Sequence, residues 1–264
     1  MKIPVRNDGF QIGEGDMRTA VYLTFLLAIS SAISGCTSIH TVNDADVSED
    51  KLYGSYSATY DARKAVLTLY AQYRVGGSTG TTVRLTSPSS LTADGETMKA
   101  VDGDANVLNV SGTYYTIEKN VADASGTHTF VWTRRDGSIR TNVLDLSDVK
   151  SISAGQGSGP LSKASGFSVA YTGPEIGAGE SVSCTLRSKN KDSDATGEIE
   201  LKKSVTSGNE CIFTAGELAT FRAGAAAVLV DRFRTAVTQQ GHEAVGGTMR
   251  SQYTSAEHEL TILP

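Results

Sequence analysis

The chain has 264 residues and a net charge of −5, from 24 Lys and Arg against 29 Asp and Glu. A mildly acidic chain without a concentrated basic segment is poorly suited to nucleic acid, because phosphate contacts need clustered Lys and Arg. The length exceeds that of a typical single domain and is compatible with two domains of about 100 residues each.

A short apolar segment lies near the start of the chain. It runs from Thr19 to Ile33 and directly follows Met17-Arg18. A stretch of about fifteen residues is shorter than the roughly twenty that a helix needs to cross a bilayer, so it is typical of the h-region of a secretion signal. Because the residues before Met17 include unusual acidic groups for a leader, we predict that Met17 is the natural start.

The apolar segment ends in the tetrapeptide Ile33-Ser34-Gly35-Cys36. This tetrapeptide resembles the lipobox of bacterial lipoproteins. The resemblance implies that residues 1–35 are a leader and signal peptide that is removed, and that the Cys36 thiol carries a diacylglyceryl group. Two or more acyl chains give a stable membrane anchor, whereas one does not. Alternatively, Cys36 is an ordinary residue after a conventional signal peptide.

The residue after the cysteine bears on the choice of membrane. Thr37 stands where, in this family, an aspartate favours retention in the inner membrane. The resemblance therefore implies an outer-membrane anchor with the protein facing the periplasm, and the cell surface is the alternative.

Residues 36–50 contain the lipidated cysteine and an acidic segment. From Ile39 to Asp50 the sequence is polar and acidic and has no hydrophobic periodicity. This composition predicts a flexible tether between the anchor and the folded part of the chain. A similar acidic stretch serves some lipoproteins as a surface-export signal, but a plain spacer is the commoner role.

Residues 51–153 have the period-two hydrophobic alternation of β-strands. One row contains Leu67, Leu69 and Tyr73, and Asp136-Gly137 predicts a tight hairpin after Trp132. Tyrosines are concentrated in this half and could form a stacking platform for a sugar or a peptide, although tyrosine is also common in strands. They are Tyr53, Tyr56, Tyr60, Tyr70, Tyr73, Tyr114 and Tyr115.

A Gly- and Ser-rich segment, 151–160, predicts the boundary with a second domain at 154–264. The second half also alternates with period two, and Thr214 to Glu217 has the pattern of a capping box before one short helical turn. Short strands with Gly-rich turns in two halves are similar to tandem immunoglobulin-like or fibronectin-like domains. We therefore predict an all-β fold of two tandem immunoglobulin-like antiparallel β-sandwich domains after the signal peptide and tether.

The chain contains three cysteines, Cys36, Cys184 and Cys211. If Cys36 is lipidated, the other two are available as a disulfide in an oxidising compartment. Such a bridge would close a loop of about 27 residues, which in the chain-entropy model stabilises by about 3 kcal/mol. The alternative is two free buried thiols. A thiolate metal site would need further cysteines than the chain provides.

Catalytic and metal-binding patterns are incomplete. Ser147 to Lys150 fits the SxxK element of serine acylases, but no KTG element accompanies it. Asp192 to Gly197 matches the opening of a calcium loop, yet Lys203 stands where the closing carboxylate belongs. A second partial match begins at Asp102, and ordinary hairpin turns are the better explanation of both patterns. The sequence therefore predicts no enzyme, no cofactor and no metal.

These observations predict a non-enzymatic outer-membrane lipoprotein that acts as a binding or structural component of the cell envelope. The expected partners are the membrane, through the lipid on Cys36, and a protein or glycan that the sequence does not identify. The alternative is a surface adhesin or carbohydrate-binding lipoprotein.

Overall fold

The structure is a computed structural model that describes residues 41–103, 112–149, 151–155, 161–190, 197–205, 208–242 and 244–264. The predicted signal peptide, Cys36 and the calcium-loop pattern from Asp192 to Thr196 lie outside the described residues. So do Asp104 and Asn106 of the second partial calcium pattern.

The described chain is built almost entirely of strands, which confirms the predicted all-β class. It contains one short helix, α1 (Ala215–Leu218), and two single 3-10 turns, Asp44–Asp46 and Glu49–Lys51. The strands are β1 (Thr41–Asn43), β2 (Leu52–Asp61), β3 (Val66–Val75), β4 (Thr81–Arg84), β5 (Ser90–Ala93), β6 (Glu96–Thr97), β7 (Lys99–Gly103), β8 (Gly112–Asn120), β9 (Gly126–Thr133), β10 (Ile139–Leu146), β11 (Ser151–Gly155), β12 (Leu161–Ser162), β13 (Phe167–Thr172), β14 (Glu180–Ser188), β15 (Glu200–Ser204), β16 (Glu210–Phe213), β17 (Gly224–Val237), β18 (Gly247–Thr254) and β19 (His258–Leu263).

The strands form three sheets. The main sheet has the order β1-β4-β3-β2-β18-β17-β14-β15, with β8 and β7 joined to β3, and β19 and β12 joined to β17. The second sheet has the order β10-β9-β5-β6, and the third has the order β11-β13-β16. Most neighbouring strands are antiparallel, but β1 with β4, β2 with β18 and β12 with β19 are parallel pairs.

The main sheet joins the two halves of the chain. Gly54–Asp61 of β2 pairs in parallel with Gly247–Thr254 of β18, and residues Ile39–Pro264 form one compact unit. The expected division between 51–153 and 154–264 falls inside β11, whose residues 151–155 pair with β13. The domain boundary predicted at 151–160 is therefore wrong for residues 151–155, because backbone pairing outweighs a composition typical of a loop.

Strand alternation places the core as the sequence predicts. In β3, the predicted row of Leu67, Leu69 and Tyr73 is buried, while Thr68 and Tyr70 are partly exposed. Side chains on one face of a strand recur at every second residue. The buried residues therefore all lie on one face of the main sheet, and this face packs against the core. The predicted hairpin at Asp136-Gly137 connects β9 and β10.

The predicted capping box is confirmed at the start of α1. The Thr214 hydroxyl accepts a hydrogen bond from the Glu217 backbone N–H, and the Glu217 carboxylate accepts one from the Thr214 backbone N–H at 3.0 Å. This exchange satisfies two backbone donors that a helix start otherwise leaves without partners.

The predicted flexible tether is wrong from Thr41 onward, because the segment is docked on the sheets. Thr41–Asn43 forms β1 and pairs with β4. Asp44 is buried, and its Oδ1 accepts hydrogen bonds from the Thr86 backbone N–H at 2.8 Å and the Thr86 hydroxyl at 2.6 Å. Glu49 forms an ion pair with Arg134. Acidic composition alone does not reveal that these carboxylates have partners elsewhere in the fold.

We expect Asp44→Ala to lower the free energy of unfolding by about 1–3 kcal/mol, because it leaves Thr86 without its buried charged acceptor. Asp46→Ala is the matched control, since Asp46 is an exposed acid in the same 3-10 turn. Urea denaturation measures both. Equal stability of the two variants would mean that the segment behaves as the spacer predicted from its composition.

Candidate functional site

The predicted disulfide is present. Cys184 of β14 and Cys211 of β16 are bonded, with a Cα–Cα distance of 6.1 Å, and both residues are buried. Because β14 belongs to the main sheet and β16 to the third sheet, the bond ties these two sheets together. Its surroundings are apolar core, which is typical of a structural bridge.

The tyrosines predicted as one platform divide between the two faces of the main sheet. Those on the inner face are buried in the core: Tyr56, Tyr60, Tyr73 and Tyr115. Those on the outer face are partly exposed: Tyr53, Tyr70 and Tyr114. Only the second group is available for a ligand, because strand parity commits the first group to the core.

Two of the inner tyrosines, Tyr56 and Tyr73, lie against a buried histidine, His242. His242 Nδ1 lies 2.7 Å from the Leu52 carbonyl oxygen, and its Nε2 lies 2.9 Å from the Tyr56 hydroxyl. Its ring stacks on Trp132 with 5.4 Å between centroids. The ring occupies space left by Gly54, where a Cβ would collide with it. His242 therefore joins the β17–β18 connection to β2.

A polar surface, which we call the outer face, covers the middle of the main sheet. Tyr70 and Tyr114 stack there, with ring centroids 5.7 Å apart and planes at 29°. The Arg250 guanidinium lies 5.5 Å from the centroid of the Phe233 ring. Cross-strand pairing places small hydroxyl residues between these aromatic groups, and they include Ser55, Ser57, Thr59, Thr68, Thr116 and Thr248.

A separate cleft of about 240 Å³, which we call the β10 cleft, opens between β10 and the inner face of β17 and β18. Its lining residues are Val143, Leu144, Asp145, Arg234, Ala236, Gln239, Met249 and Ser251. It combines backbone of a strand at the edge of the second sheet, one cationic side chain and an apolar floor.

A buried ion pair lies beside the β10 cleft. Arg232 of β17 donates hydrogen bonds to the Pro174 and Glu175 carbonyl oxygens and to the Glu180 carboxylate, each at 2.6 Å. Glu180 also accepts from the Gly177 backbone N–H at 2.7 Å and the Ser147 hydroxyl at 2.9 Å. Burial raises the pKa of Glu180, but these hydrogen bonds and the Arg232 charge outweigh it, so the pKa lies below its ordinary value.

The other end of the cleft is closed by amide side chains. Asn142 of β10 is buried, and its Oδ1 accepts hydrogen bonds from the Gln239 backbone N–H at 2.8 Å and the Gln240 backbone N–H at 3.1 Å. The Gln239 side chain in turn accepts from the Val143 backbone N–H at 2.8 Å. These contacts fix the chain after β17 against the edge of β10.

The groups that the sequence offers for catalysis are engaged in structural contacts. Ser147 of the SxxK pattern donates to Glu180, and Lys150 lies outside the described residues. His128 Nδ1 lies 2.9 Å from Asp94 Oδ2. Asp102 of the second calcium pattern forms an ion pair with Arg84. Within the described ranges, no three His, Cys, Asp or Glu residues are grouped to hold a metal ion.

The sequence does not single out Arg232, Asn142 or His242. Arg232 interrupts the row of apolar residues at the inward positions of the long strand β17. Because a buried charge is costly without a partner, an Arg at such a position indicates that a partner is buried beside it. Its partner, Glu180, is 52 residues away and opens another strand. The pairing could therefore be suspected from the sequence but not assigned.

No known protein-family model and no curated protein matches the chain. Among solved structures, a complex of Dpr11 IG1 with DIP-gamma IG+IG2 is similar at 13% identity, with 78% of this chain and 96% of that chain covered and a TM-score of 0.21. The ectodomain of mouse nectin-like molecule 4, Ig1 to Ig3, is similar at 12% identity, with 80% and 64% covered and a TM-score of 0.21. Both consist of Ig domains. The topology of this chain is defined by its own strand pairing.

In the parts of the chain that the structure describes, no helix has the length and apolar character needed to cross a membrane.

We expect Glu180→Gln to lower the free energy of unfolding by about 3 kcal/mol at neutral pH, because it leaves Arg232 as a buried charge without its counter-charge. Since the pKa of Glu180 is lowered in the folded state, its contribution is present above the unfolded pKa and is lost as pH falls through the folded pKa. Urea denaturation between neutral and acidic pH measures this difference.

Glu118→Gln is the matched control, because Glu118 is exposed at the end of β8. The stability difference between the Glu180 variant and the parent should shrink on acidification, whereas the Glu118 variant should follow the parent throughout. A Glu180 variant as stable as the parent at neutral pH would contradict the assigned role of the ion pair.

Proposed function

We propose that this chain is a non-enzymatic binding or structural component of a bacterial cell envelope, held in the outer membrane by acylated Cys36 and facing the periplasm. The observation that carries the proposal is the close succession of an anchor signal and a folded all-β body. The lipobox-like tetrapeptide ends at Cys36, and β1 begins at Thr41.

The short separation between these two residues limits where the body can lie. Five residues of fully extended chain span at most about 18 Å. An acyl group on Cys36 would therefore hold β1 and the adjacent edge of the main sheet close to the bilayer. The docked acidic segment supports this arrangement, because Asp44 and Glu49 bind Thr86 and Arg134 instead of serving as a long spacer.

A binding or structural role is also supported by what the polar groups do. Arg232, Glu180, Asn142 and His242 connect strands that are distant in sequence. Such contacts fix a rigid framework that presents its surfaces, and ligands bind best to surfaces that are already organised.

We expect the full chain, expressed in a Gram-negative host with an alkyne analogue of palmitate, to incorporate the label and to partition into the detergent phase of a cloud-point separation. Cys36→Ala should abolish both properties, because it removes the only thiol in the tetrapeptide. Ser34→Ala is the matched control and should keep both, since it leaves a small residue before the cleavage site.

Mass spectrometry of the purified chain completes this test. A mature chain that begins at acylated Cys36 would support the proposal. An unmodified chain that retains residues 1–35, or one that partitions into the aqueous phase, would contradict it.

A second candidate is a carbohydrate-binding lipoprotein or surface adhesin, and the outer face favours it. Tyr70 and Tyr114 present a stacked aromatic pair beside rows of small hydroxyl residues. A sugar ring has apolar C–H faces and a rim of hydroxyl groups, which are complementary to aromatic rings and to hydroxyl side chains respectively.

We expect a glycan retained by the full chain on a glycan array to bind roughly two- to tenfold more weakly to the Tyr70→Ala and Tyr114→Ala double variant. Replacing both residues with Phe is the control that keeps the rings. If the Ala variant binds as the parent does, or if the array retains no glycan, the carbohydrate role of the outer face is wrong.

A further inference from the structure

We propose that the β10 cleft binds a short extended peptide that carries a carboxylate, by strand addition to the edge of β10 and an ion pair with Arg234. The inference gives a ligand class and a site to the binding role proposed above, but it does not depend on the lipid anchor. It rests on three features of the described residues: a free position on a strand edge, a cationic side chain without a counter-charge, and an apolar floor.

The first feature is the edge of β10, the terminal strand of the second sheet. The Val143 backbone N–H donates to the Gln239 side chain at 2.8 Å, and the Gln239 amide donates back to the Val143 carbonyl oxygen at 3.2 Å. The Thr141 backbone N–H donates to the Gln240 side chain at 3.0 Å. Two glutamine amides thus occupy the positions where the backbone of an added strand would bind.

The next edge position along β10 is Asp145. In an antiparallel pair, every second residue directs its N–H and C=O away from its partner strand. The backbone N–H groups of Thr141 and Val143 point away from β9, so those of Asp145 point the same way. No described residue forms a hydrogen bond with these outward groups of Asp145. A peptide amide can bind at Asp145 in the way that Gln239 binds at Val143.

The Asp145 side chain does not obstruct an anionic ligand. Leu144 is buried, whereas on the opposite face of the strand Val143 is partly exposed and Asp145 is exposed. Strand alternation therefore turns the Asp145 carboxylate away from the space between the sheets. The backbone N–H and C=O of Asp145 still point outward from the edge of β10.

The second feature is Arg234. It lies opposite Glu180 in the register of β17 with β14, yet it forms no hydrogen bond or ion pair through its side chain with any described residue. The Glu180 carboxylate is committed to Arg232, to the Gly177 backbone and to Ser147. Arg234 is therefore a partly buried cation at the cleft that has no counter-charge among the described residues, and a carboxylate is the group that its planar donors bind best.

The third feature is the floor of the cleft. Ala236 pairs with Met249, and Arg234 pairs with Ser251, so these side chains share the inner face of β17 and β18. Met249 and Ser251 are buried. A thioether and a methyl group accept an apolar side chain of varied shape, because methionine is flexible and polarisable.

The size and arrangement of the cleft favour a peptide over a rigid small molecule. Its volume of about 240 Å³ is below the roughly 300–1,000 Å³ typical of drug-sized ligands. Two or three extended residues can supply all three groups that the cleft needs. These are a backbone amide for Asp145, an apolar side chain for the floor and a carboxylate for Arg234. The carboxylate can be the C-terminus of the peptide or an acidic side chain.

Nuclear magnetic resonance titration of the isotope-labelled full chain in detergent micelles tests the proposal with three probes. They are N-acetyl tetraalanine with a free C-terminus, the same peptide as its C-terminal amide, and an amide whose third residue is glutamate. We expect one or both of the carboxylate peptides to shift the amide signals of residues 143–145 and 234–236. The uncharged amide should bind at least tenfold more weakly.

Arg234→Gln should reduce the affinity of the carboxylate peptide about tenfold or more, to that of the uncharged peptide. Lys202→Gln is the control, because it removes the same charge from an exposed position on β15. The unperturbed signals of β2 and β3 report whether each variant is folded. Binding through the free C-terminus alone assigns terminal recognition, and binding of the glutamate peptide assigns recognition of an acidic side chain.

The proposal is overturned if neither carboxylate peptide shifts the signals of the β10 cleft. Equal affinity of the uncharged amide, or an Arg234→Gln variant that binds as the parent does, would overturn it too. None of these outcomes bears on the acylation of Cys36, so failure of this site and failure of the lipoprotein proposal are separate results.

Discussion

The parallel pairing of β2 with β18 is the interaction on which the rest of the molecule depends. It joins Gly54–Asp61 to Gly247–Thr254 through the backbone, so that strands from both ends of the chain share one sheet. The burial of His242 reinforces this seam, because its ring bonds to Leu52 and Tyr56 of β2 and fills the space above Gly54. A side chain at Gly54 would displace the histidine and open the seam.

Buried polar contacts connect parts of the body that are distant in sequence. Arg232 of β17 binds Glu180 of β14 and the Pro174 carbonyl oxygen, and Asn142 of β10 binds the chain after β17. Buried charges and amides require such partners, since an unpaired buried group is costly. Arg234 lies on the same face of β17 as Arg232 and lines the β10 cleft, and it has no ion-pair partner among the described residues.

The two faces of the main sheet serve different purposes. The inner face carries the aromatic core and is needed for folding, whereas the outer face and the β10 cleft are the surfaces at which we propose that ligands bind. In the proposed lipoprotein, a framework that is crosslinked by the Cys184–Cys211 disulfide presents the binding surfaces near the membrane.

The sequence by itself determined the class of fold, the inward rows of residues such as Leu67 and Leu69, the capping box at Thr214 and the cysteines available for a bridge. These features depend on local spacing, which a sequence displays directly. Only the tertiary structure decided which strands pair, that residues 151–155 continue a sheet and that the acidic segment is docked. It also decided which tyrosines are accessible and that Arg234 has no ion-pair partner among the described residues. Each of these depends on contacts between residues far apart in the chain. Period-two alternation shows on which face of a sheet a side chain lies, but it does not show which strand lies beside its own.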